Sequence, residues 1–187
     1  RSSPTSAGRY ITTGYARDVA VSGSYAYIAN DINGLVIADI SDPSAPAYKG
    51  TYNTAGCAWD VAVSENYAYI ADGENGLVIV DISDPSAPVY KGSCDTPGKA
   101  ENVAISGSYA YVADGDSGLI MININDPAMP LIENSYNTAG HSYGIFVVPI
   151  SNYAYIADGA NGLVILDVSD PAALTLKGSY DTNSAQN

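Results

Sequence analysis

A phrase of fourteen residues returns four times along the chain. It reads "NGLVIADISDPSAP" from Asn33, "NGLVIVDISDPSAP" from Asn75, "SGLIMININDPAMP" from Ser117 and "NGLVILDVSDPAAL" from Asn161. A second phrase precedes each copy: "GSYAYIAND" from Gly23, "ENYAYIADG" from Glu65, "GSYAYVADG" from Gly107 and "SNYAYIADG" from Ser151. Gly14, Gly56, Gly98 and Gly140 are 42 residues apart, and two extra residues enter the fourth copy near "FVVPIS" (146–151). A fixed period of this size belongs to repeat architectures, in which each unit buries its apolar surface against its neighbours.

Each unit reads as four short strands. "DVAVS" (60–64) and "YAYIAD" (67–72) alternate, as half-buried strands do. "GENG" (73–76) ends in Asn-Gly, a hairpin signal. "LVIVDI" (77–82) is continuously apolar and β-branched, so both of its faces should be buried. "SDPSAP" is a turn, and "VYKGSCDT" (89–96) is a more polar last strand. Four strands in about 42 residues is the size of a propeller blade. The expected fold is all-β: a β-propeller of four four-stranded blades, with repeats at 14–55, 56–97, 98–139 and 140–187. Residues 1–13 are then surplus. "SSPTSAGRYITTG" (2–14) aligns with "SAPAYKGTYNTAG" (44–56), Gly8 with Gly50 and Tyr10 with Tyr52, so the chain opens on an unpaired outermost strand. That strand predicts exchange with another copy, or a place in a longer array. Arg1 in the first position predicts a removed leader or a segment of a longer protein.

The phrase "GLVIVDISDPSAP" resembles the LVIVD-repeat family over essentially the whole chain; the third copy departs most, with Met121 and Asn123. The resemblance implies a propeller of bacterial or archaeal secreted and surface proteins, and brings no mechanism with it.

Composition narrows the partners. The chain has 187 residues, a net charge of −13 and only 7 Lys and Arg, too few and too scattered for a basic patch. Nucleic acid and anionic membranes are therefore not expected partners. No apolar run approaches the ~18 residues of a membrane span, so no direct membrane insertion is expected. Sixteen Tyr against one Phe suit half-exposed sheets. Scarce Lys with abundant Tyr, Ser, Thr, Gly and Asn leans towards an extracellular or cell-surface location. No N-x-S/T sequon occurs, while Ser and Thr near Pro, as in "SSPTS" (2–6), leave room for O-linked sugar.

"GHSYG" (140–144) has the G-x-S-x-G form of a nucleophile elbow. In register, however, it is the fourth of a set: "GYARD" (14–18), "GCAWD" (56–60), "GKAEN" (98–102), "GHSYG". These segments lead into an inner strand and not a helix, and the single histidine is the neighbour of Ser142, so no catalytic residue is assigned and no enzyme is expected. What the set does show is variation inside a constant frame. Tyr15, Cys57, Lys99 and His141 follow the glycine; Arg17, Trp59, Glu101 and Tyr143 lie two further on. In a propeller these connections gather on one face. Tyr15, Arg17, Trp59, Lys99, Glu101, His141 and Tyr143 are therefore candidate binding residues, and Trp, Tyr and Arg are types that dominate interfaces.

Asp114 and Asp116 in "DGDSG" carry a fragment of calcium-loop grammar without its remaining ligands, and a lone His141 cannot make a zinc site. No cofactor is expected. Cys57 and Cys94 lie outside the repeated frame and near loops of adjacent blades, which admits either a disulfide or two free thiols. The expected role is structural or adhesive, through self-association by strand exchange or end-to-end assembly into an array or fibre. The alternative is a binding module for a glycan, a peptide or a surface protein, using the variable loops.

Overall fold

The computed structural model describes residues 6–148 and 150–182. Its sixteen strands form four separate antiparallel sheets of four, each taken in chain order. The first holds β1 (Asp18–Ser22), β2 (Tyr25–Ala29), β3 (Leu35–Asp39) and β4 (Ala47–Tyr52). The second holds β5 (Asp60–Ser64), β6 (Tyr67–Ala71), β7 (Leu77–Asp81) and β8 (Val89–Cys94). The third holds β9 (Asn102–Ser106), β10 (Tyr109–Ala113), β11 (Leu119–Asn123) and β12 (Leu131–Tyr136). The fourth holds β13 (Gly144–Val148), β14 (Tyr153–Ala157), β15 (Leu163–Asp167) and β16 (Thr175–Tyr180). These are the four blades of a β-propeller.

Local chemistry sets each blade. The first hairpin turns on two residues with a positive φ at the first, Gly23, Glu65 or Gly107, the twist that tight hairpins need. In the fourth blade the two inserted residues lengthen this turn and leave Ile150 fully exposed. Asp-Pro turns close on their own carboxylates: Asp42 Oδ1 accepts from Ser44 N and Asp84 Oδ1 from Ser86 N, both at 2.9 Å. The last pair of strands carries a bulge at the same place in every blade, between Ile37 and Ala38, Ile79 and Val80, Met121 and Ile122, and Ile165 and Leu166, which adds twist to the outer edge.

The core lies between blades. Alternation gives every blade two different apolar faces. One presents Tyr27, Ala29, Leu35 and Ile37 in blade 1, and its counterpart Tyr69, Ala71, Leu77 and Ile79 in blade 2. The other presents Val61, Ala68, Ile70, Val78 and Val80 in blade 2. The tyrosine-bearing face of each blade packs on the valine-bearing face of the next, giving three clusters for four blades. The first strands line up along the inner side, β1 beside β5, β5 beside β9 and β9 beside β13. Among the described residues no comparable packing joins β13 back to β1. The four blades form an open arc.

Polar links follow the same order. Asp18 Oδ2 accepts from Val61 N at 3.3 Å, Asp60 Oδ2 from Val103 N at 2.8 Å and Asn102 Oδ1 from Ile145 N at 2.9 Å. Gly144 occupies the fourth of these positions. A second series ties the end of each outer strand to the next blade: Thr54 Oγ1 donates to Asp72 Oδ1 at 2.5 Å, Thr96 Oγ1 to Asp114 Oδ1 at 2.6 Å, and Thr138 Oγ1 to Asp158 Oδ1.

Glycines let the fourth strands press against the following blade. A Cβ on Gly50 would lie 2.3 Å from Pro85 O, and one on Gly92 2.3 Å from Pro127 O. Asn134 fills the equivalent place and donates from Nδ2 to Pro171 O at 2.9 Å. Gly8 repeats the arrangement, with Pro43 O at 2.2 Å from its Cβ position, so residues 6–13 lie against blade 1 where an outer strand belongs. They differ from the expected strand in conformation: residues 6–13 are irregular, and among the described residues no third strand lies beside them to pair with. Residues 1–5 of that expected strand, most of "SSPTS" and the tail 183–187 fall outside the described residues.

Two outcomes follow from these joints. Gly50→Ala or Gly92→Ala drives a methyl into a backbone oxygen and should lower unfolding stability by about 1–3 kcal/mol. Gly178→Ala, with nothing within reach, should leave it unchanged in dilute solution; urea titrations decide this. Burial, followed by the Asp18 carboxyl, pushes the Asp60 carboxyl up to about 7. An unfolded Asp ionises near 4, so between these values the folded state holds a proton that the unfolded state releases, and stability falls as pH rises through the window. Asp60→Asn keeps the acceptor, as Asn102 demonstrates. It should raise stability at about pH 8 by roughly 1–3 kcal/mol and flatten the slope between about pH 4 and 7; denaturation across a pH series reads both.

Candidate functional site

The connection entering each of blades 2 to 4 is bridged to the turn of the blade before. Asp31 pairs with Ala58, Gly73 with Ala100 and Gly115 with Ser142, each as an isolated antiparallel bridge. The bridged residue faces inward: Ala58, Ala100 and Ser142 are fully buried. On an extended chain the residues on either side then face outward, and those are the variable positions. Packing fixes the middle residue of each connection and releases its neighbours.

Six of the seven candidate residues meet in one strip that crosses all four blades. The Arg17 guanidinium lies 4.2 Å from the Trp59 ring centroid, and its Nη2 donates to Asp31 Oδ2 at 2.9 Å. Lys99 Nζ lies 3.7 Å from the same ring and 3.0 Å from Glu101 Oε1. His141 Nε2 is 3.3 Å from that oxygen, and Nδ1 is 2.6 Å from Asp116 Oδ1. The His141 ring is 4.5 Å from that of Tyr143. Tyr15 precedes Arg17 in the strip's first connection and is 77% exposed; Tyr143, at the far end, is 57% exposed. Three of the chain's seven cations, Lys49, Lys91 and Lys177, repeat at one frame position, and Arg1 and Arg9 precede the first repeat. The remaining two, Arg17 and Lys99, both sit on Trp59, the one tryptophan.

Beside Trp59 lies an open cleft of about 320 Å³, lined by Cys57, Asp72, Glu74, Asn75 and Lys99. The indole Nε1 is buried with no hydrogen-bond partner, a state that native structures rarely leave unfilled.

Ser142 is fully buried. Its Oγ donates to Asp158 Oδ1 at 3.0 Å and lies 3.0 Å from Thr138 Oγ1, within the inter-blade link. The His141 ring is turned to Glu101 and Asp116 instead. The structure separates the two aspartates of the calcium-loop fragment. Asp114 is buried, accepting from Thr96 Oγ1 and Gly98 N, whereas the Asp116 side chain is almost fully exposed and engages His141. Their carboxylates serve different partners, and among the described residues no cluster of three metal-ligating side chains occurs. Nor do the cysteines pair: both are free thiols. Cys57 sits beside Asp31 at the first joint and Cys94 packs in the core of the second, with burial the leading cause pushing both thiols up.

Sequence reasoning missed Asp31, whose φ of 54° turns it towards Arg17. It also missed Asn30, fully buried with both side-chain polar atoms unpartnered. Its signal was visible, since Asp72, Asp114 and Asp158 hold that position in the other copies.

The LVIVD repeat family model matches residues 13–54, 55–96, 97–138 and 140–182. The chain belongs to the LVIVD repeat family. No curated protein matches this LVIVD chain. Among solved structures, a functionally unknown protein from Desulfotomaculum acetoxidans is 19% identical, with a TM-score of 0.76, over 92% of this chain and 58% of its own. The β-propeller domain of Myceliophteria thermophila Cps50 (Swd1) is 11% identical, with a TM-score of 0.69, over 91% of this chain and 61% of its own. The computationally designed Ika8 protein is 8% identical, with a TM-score of 0.70, over 87% of this chain and 48% of its own. The LVIVD chain thus spans between about half and three fifths of these structures. At such identities the likeness is one of fold.

Asp116 is the main cause that raises the His141 imidazole above its ordinary value, with Glu101 adding to it and burial opposing. The protonated ring therefore holds the blade 3 to blade 4 end of the strip together, and that contribution is complete below the ordinary histidine range and lost as pH rises through the raised value. Being the only histidine, it can be followed by NMR titration without assignment. Asp116→Asn should bring its midpoint down towards 6.5, the ordinary histidine value.

Proposed function

We propose that this chain is part of a non-enzymatic, extracellular or cell-surface propeller with an adhesive role, and that it binds through the strip from Arg17 to Tyr143. The observation that carries this reading is the convergence of the variable residues. Repeats that are otherwise near-identical differ where their side chains meet in one line, and that line passes a cleft beside Trp59, whose indole N–H is buried and unpartnered. Cations, carboxylates and aromatics alternate along it, which suits a protein or peptide surface of mixed charge. A sugar ring stacking on Trp59 would have to displace Arg17 or Lys99, so a glycan is the less favoured ligand. A structural role through self-association is the second reading, and the open arc favours it.

Peptide and glycan arrays probed with the wild-type chain should retain peptides or surface proteins. Trp59→Ala and Lys99→Ala should each weaken that binding about tenfold or more, with the far-ultraviolet spectrum unchanged. Retention of nothing, or binding that ignores Trp59→Ala, would reduce the strip to a brace between blades.

A further inference from the structure

The two ends of the arc are halves of one joint. On blade 1 the valine-bearing face has no neighbouring blade, and residues 6–13 leave its inner strand bare. Val19 and Val21 are 55% and 62% exposed, whereas Val61 at the same place in blade 2 is 4% exposed. On blade 4 the tyrosine-bearing face is bare in the same way: Phe146 is 66% exposed, and Ala157 is exposed where Ala29, Ala71 and Ala113 are fully buried. Each is the surface that the other kind covers at all three internal joints.

The polar fittings of this joint are also present, unconnected. Gly178 has nothing within reach of its Cβ position, where Gly50 and Gly92 sit against the next Asp-Pro turn. Asn30 is buried without partners at the slot where Asp72, Asp114 and Asp158 each receive a threonine from the preceding outer strand. Thr12, in register with those threonines, donates to Gly14 O and leaves Asn30 unsatisfied. Thr182 holds the same register position after β16. Residues 6–13 therefore cover the seat without completing it.

We propose that a second copy of this chain fills both faces, blade 4 of each copy docking on blade 1 of the other, so that two arcs close one ring of eight blades. This deepens the self-association reading and is independent of the loop strip. The two joints are related by a two-fold axis, and the ring closes because each copy supplies one face of either kind. The arc superposes on 48% of the Ika8 chain, so its curvature continues through a structure about twice as long. In the joint, β16 brings Gly178 against the Pro43 turn and Thr182 to Asn30. The segment 6–13 gives way, because it lacks the strand pairing that holds β16 to β15. Gly144 offers no acceptor to Val19 N, so this joint is one hydrogen bond poorer than the internal three and reversible.

Sedimentation velocity of the whole chain tests the proposal. The expected mass is twice 19.3 kDa, falling to one copy for Val21→Asp and for Phe146→Asp. An equimolar mixture of these two variants should recover dimer, since one intact joint remains between them. Gly8→Val should lift residues 6–13 off their seat and strengthen association. If instead it weakens the dimer, the N-terminal segment is itself the exchanged strand and the proposed joint is wrong. Wild type and Gly8→Val both remaining monomeric above micromolar concentration would overturn the proposal, leaving the faces to further repeats of a longer chain. Open polymers, or a dimer indifferent to both aspartate variants, would overturn it too. None of these outcomes alters ligand retention by the strip, so the two readings fail separately.

Discussion

Everything in this molecule depends on the seating of a tyrosine-bearing sheet face against a valine-bearing one. No blade has an interior of its own. A four-stranded sheet with two apolar faces must be covered on both, and the repeat supplies each blade with a cover for its neighbour. Because the two faces differ, the stacking has a direction. The same asymmetry explains why the polar links all run forward, from Asp60 to the backbone of the next inner strand and from Thr54 to the next buried aspartate.

Much of this could be read from the chain beforehand. Strand positions and order follow from alternation in "YAYIAD" and from the unbroken run "LVIVD", and the structure places β6 and β7 on those residues. Register in the outer strand was legible through Gly8 and Gly50, which make the same close approach to a proline carbonyl. The arc's failure to close was not legible. It depends on the angle between blades, which accumulates from small differences in side-chain volume at each joint. For the same reason the sequence left the cysteine pairing open: spacing cannot show that Cys57 faces one joint and Cys94 another.

The candidate strip was half legible. Its members stood out as differences between copies, yet their mutual contacts did not, because Arg17, Trp59 and Lys99 come from three repeats and touch only once the blades are stacked. The bridged residue of each connection supplies the missing reason. Burial of Ala58, Ala100 and Ser142 pins the backbone, so the flanking side chains are presented outward at fixed spacing. A rigid scaffold with permissive positions of this kind is a means of changing what is displayed without changing what is folded.

The open arc also bears on how the chain acquires its shape. Every joint unites one repeat with the next, and none requires residue 20 to find residue 147. The loop that must be closed to form any contact is therefore about one repeat long, however many repeats the protein carries, and closure entropy stays nearly constant as the array grows. Structure can begin at any pair of adjacent blades and spread outward from it. A repeat gained or lost in evolution then lengthens or shortens the assembly while leaving the folding of the others untouched.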